Sequence, residues 1–258
     1  MHQADFSKLQ EMNIRSDVVF ANQADETSYK ELEFEGHLAK MITTETRGVG
    51  INRTLALTYA SAKYCLFADD DVTYIDNLEE TIVGEFEAHP DADVFIFHLD
   101  TDGDRKQKTY PKTRKCHVLE KKPWGACRVA IKLDSVRRAN VWFTTLFGGG
   151  CIFPSGEDSM WLSDAQKAGL CFYVSDKTIG KVSFDDSTWF TGYDEKFFFA
   201  KGAFYKATRP KTILFWKLYF ALRTRGMCDM AFSEKMRWMR LGERGYREMK
   251  GFEEFKNS

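Results

Sequence analysis

A chain of 258 residues, 43% of them hydrophobic, is long enough to bury a sizeable core as one large domain or as one domain with an extension. Its formal net charge of −1 excludes a general nucleic-acid binder, which needs a basic surface. Six Cys residues without a CxxC pair read as reduced thiols of a cytoplasmic protein, the first ten residues are too polar for a secretory leader, and no run approaches the roughly 20 apolar residues of a membrane span.

Residues 17–22 (DVVFAN) predict a short buried strand, whereas residues 31–42 fit neither period cleanly. Residues 48–62 predict a helix, because Ile51, Leu55, Tyr59 and Ala62 recur at helical spacing. Residues 64–68 (YCLFA) predict another buried strand, and Asp69, Asp70 and Asp71 follow at its end. Three like charges there are relieved by water, as a solvated acidic turn, or by a cation. Ligands bind at the carboxyl ends of strands in open α/β sheets, and Mg²⁺ or Mn²⁺ takes oxygen ligands and shares its shell with phosphates. The triplet therefore points to a metal–phosphate site.

Asp76, with Glu79 three residues on, has the capping-box pattern, and Leu78, Ile82 and Phe86 continue a helix that Pro90 stops. Residues 93–99 (DVFIFHL) predict the next strand. Short apolar strands alternating with helices of this kind predict a mainly parallel sheet wrapped by helices. Residues 100–115 read as a polar, basic loop or hairpin, and Phe147-Gly148-Gly149-Gly150 as a turn. Residues 157–168 predict a helix closed by Gly169, and residues 170–175 a further strand. From Lys206 the composition shifts: 13 Lys and Arg against 6 Asp and Glu give the tail +7, which leaves −8 on residues 1–205.

Three stretches, Arg47-Gly48-Val49-Gly50-Ile51-Asn52-Arg53-Thr54, Phe67-Ala68-Asp69-Asp70-Asp71 and Gly156-Glu157-Asp158, together resemble the family 2 glycosyltransferases of bacterial capsule and surface-polysaccharide type. Phe67 to Asp71 is similar to the DxD motif of that family, and Gly156 to Asp158 is similar to its ED motif. The resemblance implies an α/β, GT-A (Rossmann-like) domain over residues 1–205, with residues 206–258 as a basic, aromatic helical tail. It implies a hexosyltransferase-like enzyme that moves a sugar, with inversion, from a UDP-sugar to a glycan or lipid-linked acceptor, using Mn²⁺ or Mg²⁺. By the same resemblance Asp69 and Asp71 contact the donor ribose and diphosphate through the metal, assisted by Asp70. Arg53 then lies near the nucleotide, Asn22 and Asp25 lie near its base or ribose, and Asp158 is the general base with Glu157 beside it. The chemistry agrees: an inverting transfer needs a base for the acceptor hydroxyl and a cation for the departing diphosphate.

Two departures stand out. The family opens with an apolar strand that leads into the donor pocket, whereas Met1-His2-Gln3 reads as the end of that strand; either the gene start lies upstream or the pocket is incomplete. Many members also supply a late His to the metal, whereas the five His here all precede residue 118, and residues 183–186 read Ser-Phe-Asp-Asp where one is expected.

Plainer readings stand beside these. Glu157 and Asp158 also suit a helix first turn. Trp124 and Trp189 either stack on a sugar or fill the core. The Gly148 to Gly150 run is a mobile acceptor loop or only a turn, and Arg105 to Arg114 steers a phosphate-bearing acceptor or is wet surface. The tail either lies on an anionic membrane surface, which would make the protein peripheral on the inner face, or packs on the catalytic domain. Asp69 to Thr73 also fits the DxDxT of haloacid dehalogenase-like phosphatases, and a non-catalytic nucleotide- or glycan-binding relative is the third reading.

Overall fold

The computed structural model describes residues 3–101, 109–117, 125–182 and 192–256. The chain forms two compact units, Met1–Thr144 with Asp158–Asp186, and Thr145–Glu157 with Ser187–Ser258. All six cysteines are free.

The first unit begins with α1 (Lys8–Glu11), β1 (Val18–Gln23), β2 (Ser28–Phe34) and β3 (His37–Thr44). The segment that fits neither period is thus a hairpin. Glu35 and Gly36 both take positive φ, +50° and +85°, as a two-residue loop that follows strand twist requires. Then come α2 (Val49–Tyr59), β4 (Tyr64–Leu66), β5 (Val72–Tyr74), α3 (Leu78–Ala88), β6 (Val94–Thr101) and β7 (Arg114–Lys115). β8 (Val129–Lys132), α4 (Leu133–Arg138), α5 (Glu157–Lys167) and β9 (Phe172–Val182) follow. The expected Asp76 cap is not formed. α3 starts one residue later, at N-cap Asn77, and Asp76 instead accepts from Asn13 Nδ2 at 2.9 Å and pairs with Arg15 at 3.0 Å.

One sheet has the order β1-β3-β2 and the other β4-β8-β6-β9-β5, with β7 paired to β9. The α/β expectation holds, but the sheets are mixed rather than mainly parallel. β1–β3 and β6–β9 pair parallel, and the other pairs among the described strands run antiparallel. Two of the antiparallel pairs come from β8, a four-residue return that inserts between β4 and β6, and the others from the β2–β3 hairpin and from β5 and β7 beside β9. Along β6 the side chains alternate as a pleat demands. Val94 and Ile96 enter a cluster with Leu57, Val136 and Trp161, whereas Phe95, Phe97 and Leu99 join Ile82 and Phe86 on the other face. Helices thus cover both faces of the central sheet, as in a three-layer α/β fold.

The second unit contains α6 (Glu195–Thr208), α7 (Ile213–Arg223) and α8 (Phe232–Glu248), and the composition shift at residue 206 falls inside α6. Asp194 caps α6 by accepting from Phe197 N–H at 2.7 Å. α6 and α8 approach closely because glycines face each other. A Cβ on Gly242 would lie 1.8 Å from the Phe199 carbonyl oxygen, and one on Gly202 would lie 2.0 Å from that of Met239.

This closeness reverses the usual effect of a helical Gly→Ala change, which gains up to about 1 kcal/mol at an open site. Gly84 of α3 has open space around it, so Gly84→Ala should be neutral or stabilising. Gly242→Ala should cost at least the roughly 1–3 kcal/mol of overpacking, because backbone cannot yield as a side chain can. Urea unfolding of both variants checks the opposite signs.

Candidate functional site

The carboxylate triplet lies where β4 ends and the chain turns into β5, with Val72 N–H closing back on the Asp69 carbonyl at 3.4 Å. Phe67 immediately before it is buried, 5.1 Å from Phe143 and 5.3 Å from Trp161 by ring centroids, both edge-on. Phe143 and Trp161 stack at 5.5 Å, so three rings form the floor of the site.

Arg53 rises from α2 over this floor, its guanidinium carbon 5.4 Å from the Phe143 ring centroid. One arm, Nη2, donates to Asp69 Oδ1 at 2.9 Å, and the other, Nη1, donates to Asp158 Oδ1. The other oxygen of Asp158 accepts the Ala126 backbone N–H at 3.0 Å. The Arg53 side chain is only 12% exposed, and Asp69 and Asp158 are 39% and 24% exposed. The guanidinium fork therefore spans two carboxylates in a partly dry setting, where its planar geometry counts for most.

Asp70 accepts from Gln3 Nε2 at 3.4 Å. The Asp71 carboxyl is held above its ordinary range, first by desolvation and then by the negative charge of Asp69 and, less, of Asp70. A cation would relieve that repulsion. Among the described residues no group of three or more His, Cys, Asp or Glu is placed to hold a metal. Asp69 and Asp71 together supply hard carboxylate oxygens, and such a pair fits an ion that keeps water and phosphate in the rest of its shell.

Asn22, expected near the nucleotide, is buried and its amide is fully engaged: Oδ1 accepts Gln3 N–H at 2.8 Å, and Nδ2 donates to Gln3 O at 3.0 Å and to Thr43 Oγ1 at 3.1 Å. Asp25 is 97% exposed and pairs with Arg47. Glu157 opens α5, but its carboxylate turns back onto its own loop, accepting Gly156 N–H at 3.0 Å. A Cβ on Gly148 would come within 3.1 Å of that carboxyl, so the glycine run leaves room for it. Glu157 and Asp158 thus face different partners, and the division between the two units falls between them. Trp124, Trp189, Arg105 and residues 183–186 lie outside the described residues.

Sequence reasoning did not single out Phe143 or the Ala126 N–H. Only the fold brings them to the site, since Phe143 is 90 residues from Arg53 in the chain and Ala126 is 32 from Asp158. The dehalogenase-like reading needs Asp69 to end the first strand of its domain, and it fails because β1, β2 and β3 precede β4.

Solved structures resemble the fold. The S. aureus TarS 1–349 structure in complex with UDP-GlcNAc superimposes with a TM-score of 0.56 at 14% identity, over 84% of this chain and 78% of that one. A second crystal structure of S. aureus TarS 1–349 gives 0.53 at 16%, over 83% and 76%. No curated protein matches the chain. The family model for glycosyl transferase family 2 matches residues 18–146, half of the chain and the part that carries Arg53 and the Asp69–Asp71 triplet, and the chain accordingly belongs to that family as a glycosyltransferase.

Proposed function

We propose that the protein transfers a sugar from a UDP-sugar to a glycan or lipid-linked acceptor of a bacterial surface polysaccharide, with inversion and with a divalent metal. The observation that carries this reading is Arg53 joining Asp69 to Asp158, which puts a metal-type carboxylate and a separate acid around one cation. The UDP-GlcNAc held by the TarS structure, whose fold this chain shares, supports a uridine nucleotide as the donor.

In this reading Asp69 and Asp71 would hold Mn²⁺ or Mg²⁺, with help from Asp70. When bound, the cation neutralises charge on the departing diphosphate. Arg53 lies beside the phosphates, and Asp25 borders the base or ribose. Asn22 shapes that wall through its grip on Gln3. Asp158 takes the proton from the acceptor hydroxyl as that oxygen attacks the anomeric carbon, and the Ala126 N–H keeps one of its oxygens in place. Glu157 fixes the acceptor-side loop through Gly156.

We also propose that the tail rests on an anionic membrane from the cytoplasmic side. No helix among the described residues is long and apolar enough to cross one. α7 is apolar on two faces: Ala221 is buried and Phe220 packs on Phe197, Phe198 and Tyr205, beside the buried Lys217 that pairs with Glu243 at 2.7 Å, while Leu214, Phe215 and Leu222 are 60%, 62% and 56% exposed. Arg209, Lys211, Arg223 and Arg225 are exposed around that apolar face. Each basic residue near such a surface contributes on the order of 1 kcal/mol.

Calorimetry with UDP tests the metal. Binding should be strong with Mn²⁺ and weak after chelation, and equal affinity in both would remove the metal role of Asp69 and Asp71. Asp158→Asn should lower transfer by roughly 10²–10⁴-fold, the usual worth of a general base, with UDP affinity nearly unchanged; a variant that keeps most of its rate removes Asp158 as the base. For the tail, the full chain should sediment with anionic but not neutral vesicles and be released by salt. Phe215→Glu with Leu222→Glu, both on exposed positions, should abolish this without altering the fold by circular dichroism. Sedimentation that survives the double change would end the membrane reading.

A further inference from the structure

Lys217, Lys235 and Lys201 all turn in among the helices of the second unit, and two of them find polar partners there. Lys217 of α7 pairs with Glu243 at 2.7 Å. Lys235 of α8 donates to the Thr224 carbonyl at 2.9 Å. Lys201 of α6 has neither kind of partner. Among the described residues no carboxylate or carbonyl accepts from it, and burial alone acts on its ammonium, pulling it below the ordinary lysine range.

What surrounds Lys201 is aromatic. Its Nζ lies 5.4 Å from the ring centroid of Phe197, 5.4 Å from that of Phe204 and 5.7 Å from that of Phe220. Phe197, Lys201 and Phe204 are four and then three residues apart on α6, so they share one face of that helix. Phe220 closes the group from α7, 6.0 Å from Phe197 between centroids. Ring faces attract a cation but do not neutralise it. All four side chains are half-buried, and Nζ is not sealed from solvent. The result is an open aromatic cup around an uncompensated positive charge. Packing alone does not call for that charge, since a methionine would meet the same rings without the cost of desolvating an ammonium.

The cup adjoins the turn that carries the glutamate of the Gly156-Glu157-Asp158 motif. A Cβ on Gly156 would lie 2.8 Å from a carbon of the Phe204 ring, and Phe204 meets Phe147 edge-on at 6.4 Å. One wall of the cup is therefore packed on the residue that directly precedes Glu157. No other charged side chain shifts the Lys201 ammonium, so a single positive charge is on offer. It matches a singly charged oxyanion better than a diphosphate. The half-exposed phenyl rings add flat apolar surface of the kind that lies against a sugar ring.

We propose that Lys201, with Phe197, Phe204 and Phe220 around it, is a subsite for an acidic sugar unit of the acceptor. The singly charged oxyanion of that unit, a carboxylate or a phosphodiester, pairs with the ammonium while the sugar ring lies against the phenyl walls. Giving this sugar to the acceptor rests on the function proposed above; the subsite itself rests on Lys201 and its rings.

The test is acylation of the full chain by an amine-selective ester, with the modified lysines read by peptide mass spectrometry. A bound oxyanion stabilises the ammonium form and covers it. Acylation at Lys201 should then slow roughly threefold or more, while that at exposed Lys211 stays unchanged. Sodium glucuronate is the carboxylate probe and glycerophosphoglycerol the phosphodiester probe, with glucose and sodium chloride as controls. Slowing by glucuronate, by the diester or by both supports the subsite and names the anion. No slowing by either, or equal slowing by chloride, overturns it. Phe204→Leu, which keeps an apolar side chain, should weaken the protection with circular dichroism unchanged; full protection in that variant overturns the role of the rings. Neither UDP nor turnover enters this readout. Absent protection therefore fails the subsite alone, whereas UDP binding that ignores metal fails the proposed transfer reaction alone.

Discussion

The site depends on one guanidinium. Arg53 takes Asp69 in one arm and Asp158 in the other, and these acids reach it from two different elements, the end of β4 and the first turn of α5. Taking three charges partly out of water is costly, and the cost is offset only while all three stay paired. Remove the arginine and two half-buried carboxylates face each other with Asp70 and Asp71 nearby. Even with it present, the Asp71 carboxyl is held above its ordinary range, first by burial and then by the negative charge of Asp69 and, less, of Asp70. The nucleoside diphosphate proposed as part of the donor would add more, and a cation beside Asp69 and Asp71 would offset it.

The aromatic floor makes the Arg53 pairing rigid. Phe67, Phe143 and Trp161 come from the residue just after β4, a loop and α5, and each touches the other two. The backbone leading to Asp69 and the helix carrying Asp158 are fixed on one set of rings, with Arg53 above them. Large buried rings tolerate little displacement in a close-packed interior. The distance between metal-type and base-type carboxylates is set by packing rather than by the polar groups themselves.

Much of this was legible in the sequence, and the exceptions have physical causes. The strands at residues 17–22, 64–68 and 93–99, the helices between them and the Asp triplet at a strand end were all visible as period and charge. β8 was not: four residues, Val129–Lys132, are too few to show a period, and that strand adds two antiparallel pairs to the central sheet, beside those of β5 and β7 with β9. The β2–β3 hairpin was hidden because its turn is Glu35-Gly36 instead of the usual Asn-Gly or Asp-Gly. The expected Asp76 cap lost to tertiary partners, Asn13 and Arg15. In the site, residue types in short motifs pointed to Arg53, Asp69 and Asp158, but their mutual contact is a property of the fold. So is the separate fate of Glu157, whose carboxylate is taken by the backbone of Gly156.

α7 poses the opposite problem, a helix whose sequence is plain and whose orientation is not what solubility alone would select. Burying Lys217 against Glu243 contributes little net stability, since desolvation consumes most of the attraction. Turning the helix to bury Leu214, Phe215 and Leu222 would gain on the order of 1.5–3 kcal/mol for each such side chain. The chain forgoes that gain and packs the helix by its other side: Ala221 is buried, Phe220 lies against Phe197, Phe198 and Tyr205, and Arg209 stacks on Trp216, 4.2 Å from guanidinium carbon to ring centroid. The membrane proposed above would give the outward face an apolar phase of its own. The basic residues that flank the face set the sign of the surface that would supply it.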